Sequence, residues 1–178
     1  QEGAATVVAA QNADGSWPPE AEGGSDVSTC FAVLFLYKGR APILFNKLQE
    51  TPGGEKWIWH AHRRDVSNLT AYIEKNKEMA IQWQIVSLKG GVEELHDAPI
   101  LFISAESVPN FTADEKKKLR EFTDTGGTIL LEASCGNPGV REWFNKFAKE
   151  VWPEWAVKPL GPEHGSFLDP YPLKTQRP

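Results

Sequence analysis

The sequence predicts an α/β fold: a doubly wound, mainly parallel sheet preceded by a short helical N-terminal segment. Three observations carry this. Segments of strand period alternate with segments of helical period through residues 56–151. One of them, Pro99-Ile100-Leu101-Phe102-Ile103-Ser104, is a continuous apolar run of strand length, as expected of a strand covered on both faces. The connections are short, and short β-α-β connections imply right-handed crossovers with helices on both sides of the sheet.

Taken in order, Gln1 to Ala10 reads as helix interior, and the Gly-, Pro- and Glu-rich stretch Ala13 to Ser25 as a loop. Asp26 or Ser28 caps a helix that runs through Leu36 and Tyr37 and stops at Gly39 and Pro42. Ile43 to Leu48 is expected to add a short helical piece. Glu50-Thr51-Pro52-Gly53-Gly54-Glu55 is the clearest linker, so residues 1–50 form the expected helical segment and 51–178 the α/β domain. Lys56-Trp57-Ile58-Trp59 is the expected first strand, on its aromatic and β-branched content. Asp65 or Ser67 opens a helix with Leu69, Tyr72 and Ile73 on one face. Ile81, Trp83 and Ile85 alternate with polar neighbours, the pattern of a strand near a sheet edge. Pro99 to Ser104 is the central strand. Thr112 with Glu115 makes a capping box for a helix carrying Leu119 and Phe122, which Gly126-Gly127 ends. Thr128-Ile129-Leu130-Leu131 is expected as a second buried strand. A last helix runs from Val140 to Val151, followed by a Pro-rich aromatic tail expected as coil with short strands.

Composition excludes several function classes. The chain has 178 residues, 40% of them hydrophobic and 24% charged, with a mean hydropathy of -0.41. That suits a domain with a packed core, and no apolar run approaches the ~20 residues of a membrane span. The net charge of -5 supplies no overall positive field, so nucleic acid is not an expected partner. Two cysteines, Cys30 and Cys135, make neither a disulfide framework nor a metal pair. Cys30 lies in the run Cys30 to Leu36 and is expected as a buried small hydrophobe. Neither end carries a processing or retention signal, and the chain reads as a fragment of a longer one.

Open α/β sheets bind ligands beyond the carboxyl ends of their strands, near the point where strand order reverses. That rule selects His60, His62, Arg63, Arg64 and Asp65 after the expected first strand, Ser104 and Glu106 after the central one, and Glu132, Ser134 and Cys135 after the last. Arg63 and Arg64 beside a helix start suit a carboxylate or phosphate group; in the alternative, Asp65 pairs with Arg64 and caps its own helix. His60 and His62 are two apart and suit zinc or copper with Asp65 or His164 as a third ligand, but solvated crevice histidines explain the same spacing, and no metal or cofactor is assigned. Glu106 and Glu132 suit an acid and base pair if their strands are neighbours.

The series Trp59 through Asp65, Asn68-Leu69-Thr70, Asp97 through Phe102, Leu119 through Phe122, Gly126-Gly127-Thr128 and Pro162-Glu163-His164 resembles the bacterial domain-of-unknown-function family numbered 4159. Through it, the chain resembles class I glutamine amidotransferase-like, flavodoxin-type domains. The resemblance implies that fold, a bacterial source and no established reaction; the compartment stays open, with the cell envelope one candidate. It also implies that Cys135, between a strand and a helix, occupies the place of a nucleophilic cysteine, with His164 as base; Glu132, past the same strand, is a third catalytic candidate from its position alone. Two departures stand against this: glycine follows Cys135 but does not precede its neighbour as in that elbow, and Ser166 replaces the carboxylate expected two residues after the histidine. Gln11-Asn12-Ala13-Asp14-Gly15-Ser16-Trp17 resembles the repeat of squalene cyclases and prenyltransferase-like α/α toroids, which makes residues 1–50 look like the end of a toroid. The expectation is a non-catalytic module that binds a small ligand or a partner protein in its crevice. The alternative is a cysteine-dependent hydrolase or amidotransferase-like enzyme using Cys135 and His164.

Overall fold

The computed structural model describes residues 2–19, 24–39, 41–51, 54 and 56–161. Its centre is one four-stranded, all-parallel sheet in the order β2-β1-β3-β4, built from β1 (Ile43–Leu48), β2 (Gln82–Val86), β3 (Ile100–Ala105) and β4 (Thr128–Ala133). Helices α1 (Glu2–Ala9) and α2 (Gly24–Gly39) precede it. Helix α3 (Asp65–Lys77) follows β1, the single turn α4 (Val92–Leu95) follows β2, α5 (Ala113–Asp124) follows β3, and α6 (Pro138–Val151) follows β4. Helices cover both faces, so the doubly wound α/β fold expected from the sequence is the one observed.

Period-two alternation assigns each strand residue to a face. On one face Leu48, Val86, Leu101, Ile103 and Ala105 meet Leu95 of α4, Leu119 and Phe122 of α5, and Val140 and Phe147 of α6. Trp143, Phe144 and Trp152 pack around this core, whereas Trp155 is exposed. On the other face Phe45 and Phe102 meet Val66 of α3, with Leu69, Ile73 and Trp83 around them. Only one of the long helices covers this second face, and toward β4 it stays open: Leu130 is 44% exposed although it lies mid-strand.

Two strand expectations need correction. Ile43 to Leu48 is not helical; it is β1, a middle strand between β2 and β3, so the sheet starts ahead of the Gly-Pro linker. Its polar residues obscured it. Asn46 and Lys47 are both fully buried, Asn46 donating to the Leu95 carbonyl at 2.8 Å and Lys47 pairing with Asp65 at 2.7 Å. Those partners lie far along the chain, where local pattern does not reach. Conversely, Lys56 to Trp59 is not a ladder strand. It is extended chain beside the end of β3, held by a bond from the Glu106 N–H to the Ile58 carbonyl and one from the Ile58 N–H to Ser107 Oγ. Trp57 enters the core and meets Phe111 edge-on, so aromatic content marked burial rather than pairing.

Helix α2 starts at Gly24, so Asp26 and Ser28 lie inside it and neither caps it; the other boundaries agree within a residue or two, and β2 is an edge strand as its alternation implies. Strand β4 is also an edge, not a strand buried on both faces. The Thr112–Glu115 capping box is formed in both directions at 2.8 and 3.2 Å. After α5, Gly126 turns the chain at φ +103°, and Gly127 lies against the Phe122 ring where a Cβ has no room.

In the N-terminal pair, residues 11–17 form a tight turn in which Asp14 Oδ1 accepts from the Ser16 N–H and hydroxyl, with Gly15 at φ +88°. Trp17 is buried, donating from Nε1 to the Val7 carbonyl. Cys30 is exposed rather than buried, as are Phe31, Leu34 and Phe35. Helix α2 is apolar around most of its circumference, and among the described residues α1 and the turn at Trp17 lie against it. No helix among the described residues is long and apolar enough to cross a membrane.

The middle and edge positions of β3 and β4 predict unequal costs for equal truncations. Ile103→Ala, at a site with no exposure, should lose about 2–5 kcal/mol of unfolding free energy in urea titrations. Leu130→Ala, on the open face, should lose about 1 kcal/mol or less; equal losses would place the two strands in equivalent surroundings.

Candidate functional site

Lys47 is the residue around which the crevice is built. Its side chain leaves β1 toward α3, and Nζ meets both carboxylate oxygens of Asp65 at 2.7 Å, the His62 carbonyl at 3.3 Å and His60 Nδ1 at 3.3 Å. The Trp59 ring lies 5.6 Å from the ammonium nitrogen. Asp65 is the first residue of α3, and one of its oxygens also accepts the Val66 N–H at 2.6 Å. The aspartate therefore ties the helix start to the sheet. Removing either member would leave a buried, unpaired charge, a loss on the order of 3–5 kcal/mol.

This settles the geometry that the sequence left open. Asp65 turns inward to Lys47 and does not pair with Arg64. Arg63 and Arg64 are both exposed, and neither takes part in an ion pair among the described residues. They line an open crevice of about 770 Å³ together with His62, Asp65, Asn68, Phe102 and Glu132. The crevice occupies the part of the sheet face that α3 leaves uncovered. At its far side the Ser104 hydroxyl donates to Glu132 Oε2 at 2.8 Å and lies 3.2 Å from Ser134 Oγ; register places Ser104 opposite Glu132 on adjacent strands.

Cys135 stands at the end of β4 in a left-handed conformation, φ 54° and ψ 23°, between the strand and α6. A non-glycine residue there costs on the order of 1 kcal/mol or more of backbone strain. Its thiol is exposed and lies 3.9 Å from His62 Nε2. The turn is closed by Asn137, which accepts the Gly139 N–H at 2.9 Å and donates to the Glu106 carbonyl at 2.8 Å.

The selected residues thus converge in part. His60, His62, Arg63, Arg64, Asp65, Ser104, Glu132, Ser134 and Cys135 gather at one end of β1, β3 and β4. Glu106 contributes backbone bonds and does not line the crevice, so the Glu106–Glu132 acid and base pair has no geometric support here. The two histidines diverge: His60 faces Lys47 and His62 faces Cys135, and among the described residues no group of three His, Cys, Asp or Glu could hold a metal ion. His164 lies outside the described residues. Lys47 was not selected from the sequence. The available signal was its place in an apolar hexapeptide after Pro42, in which an isolated lysine marks either an edge or a buried pair.

Burial, with the Lys47 ammonium beside it, holds the His60 imidazole below its ordinary pKa of 6.5; Asp65 opposes this and Arg63 reinforces it. A histidine with a depressed folded pKa binds fewer protons folded than unfolded just below that value. Its contribution to stability is therefore complete above about pH 7 and falls as pH drops through the imidazole range. Urea midpoints measured from pH 5 to 8 should rise with pH, and His60→Gln should flatten the rise. A steeper rise in the variant would reverse the sign assigned to His60.

Comparison with known proteins gives a family and no reaction. No curated protein and no solved structure matches the chain. A family model described as "Domain of unknown function (DUF4159)" matches residues 45–178, a span that takes in all of the sheet but the first two residues of β1 and every residue of the crevice. The chain belongs to the DUF4159 family.

Proposed function

We propose that the crevice binds a small ligand through an anionic group, a carboxylate or phosphate, received by Arg63 and Arg64. The observation that carries this reading is the inward turn of Asp65. Because the adjacent carboxylate is spent on Lys47, two neighbouring guanidiniums line the crevice outside any ion pair among the described residues, with the Glu132 carboxylate elsewhere on its wall. Guanidinium groups present paired N–H donors matched to carboxylate and phosphate oxygens. The volume lies in the range of small-molecule sites, and Glu132, held by the buried Ser104 hydroxyl, lines the same crevice as an acceptor for donor groups of the ligand. On this reading the domain is a ligand-binding module of a larger protein, and an acidic side chain of a partner protein is the other source of the same chemistry.

A second reading is favoured by one specific observation, the Cys135–His62 contact at a strained strand-to-helix turn. In it the crevice is the substrate pocket of a cysteine-dependent acyl-transfer enzyme. The thiol proton passes to His62 Nε2, sulfur forms a bond to the substrate carbonyl carbon, and the leaving amine or alcohol departs with a proton. His62, 73 residues before the cysteine, takes in this reading the part that the resemblance assigns to His164.

One alkylation series tests both. With Cys30→Ala, only Cys135 reports, and its rate constants with iodoacetate and iodoacetamide are compared at pH 7.5. The anionic reagent should gain about fivefold relative to its ratio at a free thiol, and Arg63→Gln with Arg64→Gln should abolish the gain. A free-thiol ratio unmoved by the arginine changes would overturn the binding reading. The enzyme reading requires His62→Ala to slow the neutral reagent as well; an unchanged iodoacetamide rate removes His62 as base.

A further inference from the structure

The Lys47 ammonium has three N–H bonds and three acceptors around it: the Asp65 carboxylate, the His62 carbonyl and His60 Nδ1. It is fully buried and fixed to the middle of the sheet, and its principal partner opens α3. Between those two rigid elements, residues 59–64 have no strand or helix of their own. Their position is set by what they touch. Trp59 lies against the His60 ring at 4.5 Å, and the His62 carbonyl, besides meeting Lys47, accepts the Asp65 N–H at 3.3 Å.

We infer that Lys47 is the positioning residue of the crevice: by gripping His60, His62 and Asp65 at once, its buried ammonium fixes the loop that carries His62 to Cys135 and Arg63 and Arg64 to the ligand. The inference rests on the anion-binding reading for what the loop does, and on the geometry alone for what holds it. Lys47 touches no ligand in this scheme and acts through the loop.

The grip has a chemical signature. An ammonium donates only, so His60 Nδ1 must offer a lone pair, and the ring proton then resides on Nε2. The groups facing His60 are Lys47 from β1, Asp65 from α3, and Trp59 and Arg63 from the loop itself. A proton added at Nδ1 removes the acceptor and places a second cation against Lys47 and Arg63, with Asp65 as the carboxylate among them. Acidification thus removes one of the three bonds and leaves the other two.

The test uses the full chain carrying Cys30→Ala. Long-range proton–nitrogen spectra of the unmutated Lys47 protein should show His60 as the Nε2–H tautomer near pH 8. A protonated Nδ1 at that pH overturns the inference without any substitution. The paired variant Lys47→Met with Asp65→Asn removes both charges together, so no buried ion is left alone. A dispersed amide spectrum checks that it folds. In the folded variant, His60 should become a mixture of tautomers and the iodoacetate preference of Cys135 should fall about threefold or more, while Lys116→Met changes neither. A folded variant that keeps both properties overturns the inference; a variant that does not fold leaves the unmutated tautomer to decide. If iodoacetate shows no preference even with Lys47 in place, the anion reading fails by itself and the His60 tautomer still decides the role of Lys47.

Discussion

A lysine buried without exposure in a middle strand is the constraint on which the rest of the arrangement depends. Burying a charge is costly unless it is paired and hydrogen-bonded, so Lys47 demands Asp65, and Asp65 in turn fixes where α3 begins on the sheet. The first helical turn is thereby set by electrostatics as well as by Val66 and Leu69 packing on Phe45 and Phe102. The same pairing decides the character of the surface. Had Asp65 turned outward, Arg64 would have been neutralised and the crevice would offer little to an anion.

The sheet supplies the second half of the site. One long helix on the α3 face, against two on the other, leaves the β4 side of that face open, and the crevice lies where covering stops. In parallel sheets of this kind the reversal of strand order, here between β1 and β3, opens a crevice at the carboxyl ends. In this chain the residues that follow β1 run beside the end of β3 through the Ile58–Glu106 and Ile58–Ser107 bonds. The open space is therefore displaced toward α3 and β4, where Glu132 and the Cys135 turn border it.

Much of the fold was legible because its signals are local. The Thr112–Glu115 box, the Gly126-Gly127 stop and the unbroken run before Ser104 each state their structure within a few residues. The first strand was not legible, since Asn46 and Lys47 break its apolar pattern and their partners, Leu95 and Asp65, are distant. The aromatic segment at Trp57 imitates a strand for the opposite reason: Trp57 is buried without a ladder. Most of the crevice residues are legible even so, because His60 to Arg64 lead into α3, which Asp65 opens, wherever the preceding strand is placed. What sequence could not show was direction, namely that Asp65 faces inward, that His60 and His62 diverge, and that His62 meets Cys135.

The central claim is that Arg63 and Arg64 receive an anion because Asp65 belongs to Lys47. Its most direct measurement is the arginine side-chain Nε–H spectrum during titration with succinate at constant ionic strength. The account predicts that the Arg63 and Arg64 signals shift together and saturate, while Arg120, which is paired with Asp124 and Glu154, stays in place. Signals of Arg63 and Arg64 that do not move, or that drift in proportion to succinate without saturating, would contradict it.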